Sequence, residues 1–315
     1  MRAIAIDGFG DTPTLRDVPI PKVGSDEIRL RMQAAGVNPM DWKVRDGAPE
    51  QFGQETRFPL TLGLEGAAVI DALGDGVTGF DVGDPVFGLF WPAVFQHGSF
   101  ADYLVVPAGA RMAIKPEALT FEQAAVLPLA GGAALAAVDW LELEPGAKLL
   151  VIGATGGVGS YATQIAKARG AHVIATAATS DTEYIRSLGA DEVIDFEKRD
   201  AVDAVRELAP EGVDGVIDVI NGPDGLGRVA GVLRDNGRLL TTLFAADVDA
   251  LARRGVTASN FLSHPLPHHF DELARLVIAG ELQVRIEQRF PLENAAEALD
   301  LSQRGTVRGK LVLTI

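Results

Sequence analysis

The first third of the chain alternates between apolar and polar positions in short runs cut by Gly and Pro. Residues 27–34 (EIRLRMQA), 67–73 (AAVIDAL), 85–89 (PVFGL) and 103–107 (YLVVP) carry the two-residue period of strands with a buried face. Residues 74–83 (GDGVTGFDVG) form a turn-rich connector. Many short strands with turns between them predict a compact, mostly β domain. After Lys115 the texture changes. Thr120 with Gln123 three positions on predicts a capped helix start. Strand-like runs at 148–152 (KLLVI), 172–176 (HVIAT), 192–194, 215–220 (GVIDVI) and 238–242 (RLLTT) then alternate with helical stretches at 157–169, 181–188, 201–208 and near 226–233. That alternation predicts βαβ units and a parallel sheet. Helical patterns at 268–280 and within 289–303 follow, and 310–315 (KLVLTI) closes as a strand suited to completing the first domain's sheet.

The richest local signal is residues 149–180, LLVIGATGGVGSYATQIAKARGAHVIATAATS. A buried-strand pattern runs into Gly153, Gly156, Gly157 and Gly159, then into a helical pattern, then into a second strand. Two readings are open: a tight strand-to-helix turn, or a dinucleotide cradle in which the helix N-terminus offers free N–H groups to a pyrophosphate. The second assigns Thr155, Gly156, Gly157, Val158 and Gly159 to the cofactor, with Ala154 at the first position of the G-x-G-x-x-G pattern. The end of the second strand, Ala175 to Ser180, holds no acid. An NAD site usually places a carboxylate there for the ribose 2′-hydroxyl. Its absence favours NADPH over NADH, with Thr176, Thr179 and Ser180 as donors to a 2′-phosphate and Arg186, Lys198 and Arg199 as the nearest cations. The alternative for the hydroxyls is helix capping.

Composition narrows the field. The 315 residues suit two domains, with 47% hydrophobic and 23% charged residues. No apolar run reaches membrane-span length, and the N-terminus lacks the apolar core of a signal peptide. The absence of cysteine excludes disulfides, thiolate catalysis and cysteine-based zinc sites, and makes a cytoplasmic location the expectation. The net charge of −15 argues against nucleic-acid and membrane partners. His264, His268 and His269 fall in a stretch broken by Pro265 and Pro267, and no metal site is expected among the five histidines.

Four stretches, 35–47 (AGVNPMDWKVRDG), 60–67 (LTLGLEGA), 154–164 (ATGGVGSYATQ) and 307–315 (VRGKLVLTI), in this order and spacing, resemble the medium-chain dehydrogenase/reductase superfamily, specifically its zinc-free NADPH:quinone oxidoreductase branch. The resemblance implies an α/β fold: a GroES-like, mostly β catalytic domain from residues 1–120 and 262–315, and a Rossmann domain with a doubly wound parallel sheet from 121–261. It also implies a cleft where the nicotinamide meets a small-molecule hydride acceptor, and a homodimer or homotetramer. Zinc-dependent relatives place Cys and Gly-His-Glu where this chain has Asn38 and Gly63-Leu64-Glu65, so no Lewis acid is expected and an activated acceptor, a quinone or an α,β-unsaturated carbonyl, is favoured. The position used near the nicotinamide is Asn38, with Asp41 and Lys43 on the same turn as further catalytic candidates; Lys43 faces either the cofactor phosphates or a developing oxyanion. Trp42, Trp91, Phe95 and Phe100 are candidates for an apolar substrate wall. Phe196 stands where the branch often has a tyrosine that holds the 2′-phosphate. Enoyl-thioester reductases of the superfamily carry a tyrosine soon after the N-P-x-D motif. Here residues 46–67 contain none, which disfavours that alternative and leaves water as proton source. A nucleotide-binding redox sensor without turnover is the alternative outside catalysis.

Overall fold

The computed structural model describes all residues, 1–315. It divides into two compact units. Met1–Ala130, Pro265–Ile278 and Val284–Ile315 form the first, and Gly131–His264 with Ala279–Gln283 the second. The first division falls between Ala130 and Gly131, inside the helix Pro128–Leu141.

Eight strands come first: β1 (Arg2–Ile6), β2 (Thr14–Asp17), β3 (Glu27–Val37), β4 (Leu60–Thr61), β5 (Glu65–Leu73), β6 (Pro85–Leu89), β7 (Tyr103–Pro107) and β8 (Arg111–Ile114). Short helices α1 (Pro39–Arg45) and α2 (Ala48–Gln51) follow β3, and α3 (Phe121–Ala125) and α4 (Pro128–Leu141) follow β8. Then β9 (Lys148–Ile152), β10 (His172–Ala177), β11 (Glu192–Asp195), β12 (Val213–Asp218), β13 (Leu233–Thr241) and β14 (Thr257–Asn260) alternate with α5 (Gly157–Ala168), α6 (Thr182–Ser187), α7 (Ala201–Leu208), α8 (Pro223–Val229) and α9 (Val248–Ala252). The chain ends with α10 (Pro267–Ile278), β15 (Ile286–Pro291), α11 (Ala295–Arg304) and β16 (Lys310–Thr314).

In the first unit β2-β1-β4 form one sheet and β15-β16-β3-β5-β6-β8 another, with β7 also on β3. Alternation along β3 and β5 turns Ile28, Leu30, Met32, Ala68 and Ile70 into a core with Leu104 and Val106. The terminal β16 lies antiparallel to β3, pairing Leu311 with Val37 and Leu313 with Ala35. The second unit is a parallel sheet in the order β11-β10-β9-β12-β13-β14. This is the doubly wound arrangement, whose strand order reverses between β9 and β12, and ligands of such sheets bind outside the strands' carboxyl ends at that reversal.

The Thr120 cap is present, with Thr120 Oγ1 accepting from the Gln123 amide at 3.1 Å and Gln123 Oε1 from the Thr120 amide at 3.0 Å. Elsewhere the pattern and the fold part company. Leu233, expected in a helix, opens β13, where the left-handed Asn236 (φ 62°) and the following Gly237 interrupt the strand's periodicity. His268 and His269 lie in the first turn of α10, within the helix expected at 268–280, and Pro267 is tolerated as its first residue. No helix is long and apolar enough to cross a membrane.

Candidate functional site: a dinucleotide cradle and a buried ionic cluster

In the second unit the glycine cluster joins β9 to α5, and each glycine meets a different demand. Gly153 takes φ +87°, and a Cβ there would lie 2.6 Å from Val219 Cγ2 and 2.7 Å from Ile220 Cγ1. The tight-turn glycine is therefore Gly153, one position before the buried Ala154. Gly159 packs the helix on the strand end, since a Cβ would stand 2.2 Å from the Gly153 carbonyl oxygen. Gly156 is different. It is the N-cap of α5 with no side chain to cap the helix, its φ of −78° suits any residue, and the nearest atom to an added Cβ is 3.8 Å away. A side chain at Gly156 would thus meet open space at the N-terminus of α5, and the protein's own packing does not require that residue's smallness. A pyrophosphate fits that cradle. Beside it, buried Asp218 shapes the turn after β12, accepting from the Ile220 and Asn221 amides at 3.0 and 2.9 Å.

At the end of β10 the three hydroxyls have different surroundings. Thr176 is buried within the strand, while Thr179 and Ser180 are exposed. Thr179 Oγ1 donates to Asp195 Oδ2 at 2.6 Å and the Thr179 amide donates to Glu197 Oε2 at 2.9 Å. Phe196 is 55% exposed between these two acids.

The first unit places Asn38, Asp41, Glu65 and Lys310 together, all buried. Asn38 caps α1 and Asp41 sits in its first turn, its Oδ2 accepting from the Asn38 amide at 2.7 Å. Asn38 Nδ2 donates to Glu65 Oε1 at 2.7 Å, and Glu65 Oε2 accepts from the Leu129 amide at 2.7 Å. Lys310, at the start of β16, donates to Asn38 Oδ1 and to Glu65 Oε1, the latter at 3.0 Å. Burial pushes the Asp41 carboxyl up to about 8, with the neighbouring Glu65 charge adding to the rise and the Asn38 amide and Lys310 opposing it. At neutral pH the Asp41 carboxyl is therefore mostly protonated. Gly36 makes room for the cluster: a Cβ there would lie 2.2 Å from Glu65 Oε1 and 2.7 Å from the Ala125 carbonyl oxygen.

Lys43 and Trp42 are half-buried neighbours, with the Lys43 ammonium 5.6 Å from the Trp42 ring centroid. Trp91 is half-buried and meets Phe95 edge-on at 5.5 Å. Phe95 and Phe100 are buried, at 2% and 0% exposure, so most of their surface belongs to the core of the first unit.

Residues 24–117 match the alcohol dehydrogenase GroES-like domain and residues 188–313 the zinc-binding dehydrogenase family. The human mitochondrial NAD(P)H oxidoreductase RTN4IP1 is 31% identical over 100% of this chain and 89% of its own. The chain belongs to the medium-chain dehydrogenase/reductase superfamily. The quinone oxidoreductase of Coxiella burnetii superposes with a TM-score of 0.91 at 30% identity, covering 100% of this chain and 99% of that one, and places it in the quinone oxidoreductase branch. A relative named NAD-dependent alcohol dehydrogenase, from Sulfurisphaera tokodaii, is 30% identical over 99% of this chain and 98% of its own.

The second matching family is described as zinc-binding, and the donor set here does not fit zinc. Leu64 has no donor atom, and Asn38 and Glu65 are already joined by the Lys310 ammonium, a cation held where a metal would need their oxygens. No group of three or more His, Cys, Asp or Glu side chains is placed to hold a metal. Lys310, Gly36 and Asp218 escaped the sequence reading. Lys310 stands 245 residues from its partner Glu65, and only sheet pairing of β16 on β3 brings them together.

Proposed function

We propose that this protein is a metal-independent oxidoreductase that binds a nicotinamide dinucleotide on its second unit and reduces a quinone or an α,β-unsaturated carbonyl. The observation that carries the reading is Gly156, a helix-capping glycine that nothing in the protein crowds, at the reversal point of a doubly wound sheet. The first-turn amides of α5 hold the pyrophosphate, and Gly153 and Gly159 fix the angle at which that helix leaves β9. Bound in its reduced form, the dinucleotide supplies the hydride. The Asn38–Glu65–Lys310 cluster holds the N-terminus of α1 rigid and so positions Trp42 and Lys43. Lys43 is the candidate cation for a developing oxyanion, since the Asn38 side chain is already bonded to Glu65 and Lys310. An acceptor that is already electron-poor needs no Lewis acid, which agrees with a donor set unsuited to zinc. The names of the quinone oxidoreductase relatives support the acceptor class.

Gly156→Ala is the discriminating variant. It is expected to unfold like the wild type while binding reduced dinucleotide at least about tenfold more weakly by calorimetry. The acceptor is tested by the loss of reduced-nicotinamide absorbance with quinones, enals and an enoyl-CoA. Wild-type protein that binds neither NADH nor NADPH overturns the reading, and turnover confined to the enoyl-CoA replaces the acceptor class.

A further inference from the structure

The segment 175–180 contains no acid, and on sequence grounds that favours NADPH. The fold supplies acids from elsewhere. Strands β10 and β11 are parallel and in register, Ala177 opposite Asp195, so their carboxyl ends finish level. Asp195 and Glu197 then reach back to the residue that follows the β10 turn. Asp195 Oδ2 takes the Thr179 hydroxyl proton at 2.6 Å, and Glu197 Oε2 takes the Thr179 amide at 2.9 Å. The Glu197 amide in turn donates to Asp195 Oδ1 at 3.1 Å, which ties the two acids into one turn.

From these contacts we infer that Asp195 and Glu197 make the nucleotide site select NADH and reject NADPH. The inference rests on the proposed dinucleotide cradle at residues 153–159 and concerns its ribose end, which lies at the end of the second strand of such folds. A free ribose 2′-hydroxyl is a donor and finds carboxylate acceptors at this turn. A 2′-phosphate is an anion and meets two carboxylates. Of the three hydroxyls expected to serve the phosphate, Thr179 has its proton committed to Asp195, Thr176 is buried, and Ser180 is exposed next to Thr179 at the same acidic turn.

The cations expected to help are likewise engaged. Arg186 pairs with Glu183 at 2.7 Å, Lys198 with Asp195 at 2.7 Å and Arg199 with Glu207 at 2.5 Å. At the turn itself two carboxylates face one ammonium, Lys198. Hydrogen bonds from Lys198 and Thr179 hold the Asp195 carboxyl below the usual range, so it stays ionised at neutral pH. Phe196, the position expected to touch a 2′-phosphate, offers no donor beyond its amide, which bonds the Ala177 carbonyl at 3.1 Å.

Calorimetric titration of the full chain with NADH and with NADPH, at low and at high salt, tests this. NADH is expected to bind about tenfold or more tightly than NADPH at low salt, with the ratio shrinking as salt screens the exposed carboxylates. Glu197→Gln, on the surface, and Asp195→Asn, which keeps an oxygen for the Thr179 hydroxyl, are each expected to strengthen NADPH binding several-fold. Equal or tighter binding of NADPH by the wild type, or no gain for NADPH in either variant, overturns the inference while leaving the cradle standing. Absence of binding by both nucleotides overturns the cradle and the inference together.

Discussion

Lys310 and Glu65 are the pair on which the first unit's interior charge depends. Removing one partner of a buried ion pair strands the other in a medium that cannot solvate it, so Lys310→Met is expected to destabilise the first unit by about 3–5 kcal/mol. The double variant Lys310→Met with Glu65→Gln leaves no stranded charge and is expected to recover a large part of that loss. Denaturant titration of the four proteins in the cycle measures it. Asp41 has the opposite character: it is buried and prefers to be neutral. Its folded-state pKa of about 8 lies above the ordinary carboxylate value, so the folded protein binds the extra proton and the unfolded chain does not. Its contribution to stability is therefore full in acid below the unfolded pKa, and is lost as pH rises through about 8. The expected outcome is a first unit that weakens between pH 5 and pH 8 by roughly the sign and window of one raised carboxyl, and an Asp41→Asn variant in which that slope flattens. Of these residues, sequence reading singled out Asn38 and Asp41 for chemistry, because their spacing matches a family motif. It missed Lys310 because a lysine in a terminal strand reads as a solvated end until β16 is placed against β3.

At the scale of elements, the β9–α5 junction separates two kinds of glycine. Gly159→Ala forces a Cβ against the Gly153 carbonyl oxygen, and backbone on both sides leaves no flexible atom to yield. A stability loss of about 1–3 kcal/mol is expected, alongside weaker nucleotide binding, in contrast to Gly156→Ala. Thr120→Ala removes the reciprocal cap of α3 and is expected to cost about 1 kcal/mol by denaturant titration. Both features could be read from the chain, since cap and cradle are short-range patterns with fixed spacing. The end of β10 could not. Its acids come from β11, and only the parallel register decides which residues of one strand finish beside the other.

At the scale of the whole molecule, the first unit is assembled from distant parts of the chain, and its seven-stranded sheet is closed by the last strand. Deleting residues 310–315 removes the pairings of β16 with both β3 and β15 and exposes their buried faces. Early cleavage within the first unit in limited proteolysis is the expected result, and wild-type resistance there would contradict the role given to β16. The sequence by itself determined the fold class, the alternation of strands and helices and the place of the glycine cluster between β9 and α5, because periodicity and motif spacing are local properties. Tertiary structure alone decided that Lys310 stands between Asn38 and Glu65, that Phe95 and Phe100 belong to the core, and that Asp195 and Glu197 reach the turn after β10. Each of these depends on which strands are placed side by side and in what register, and burial and charge pairing are fixed only when those strands meet.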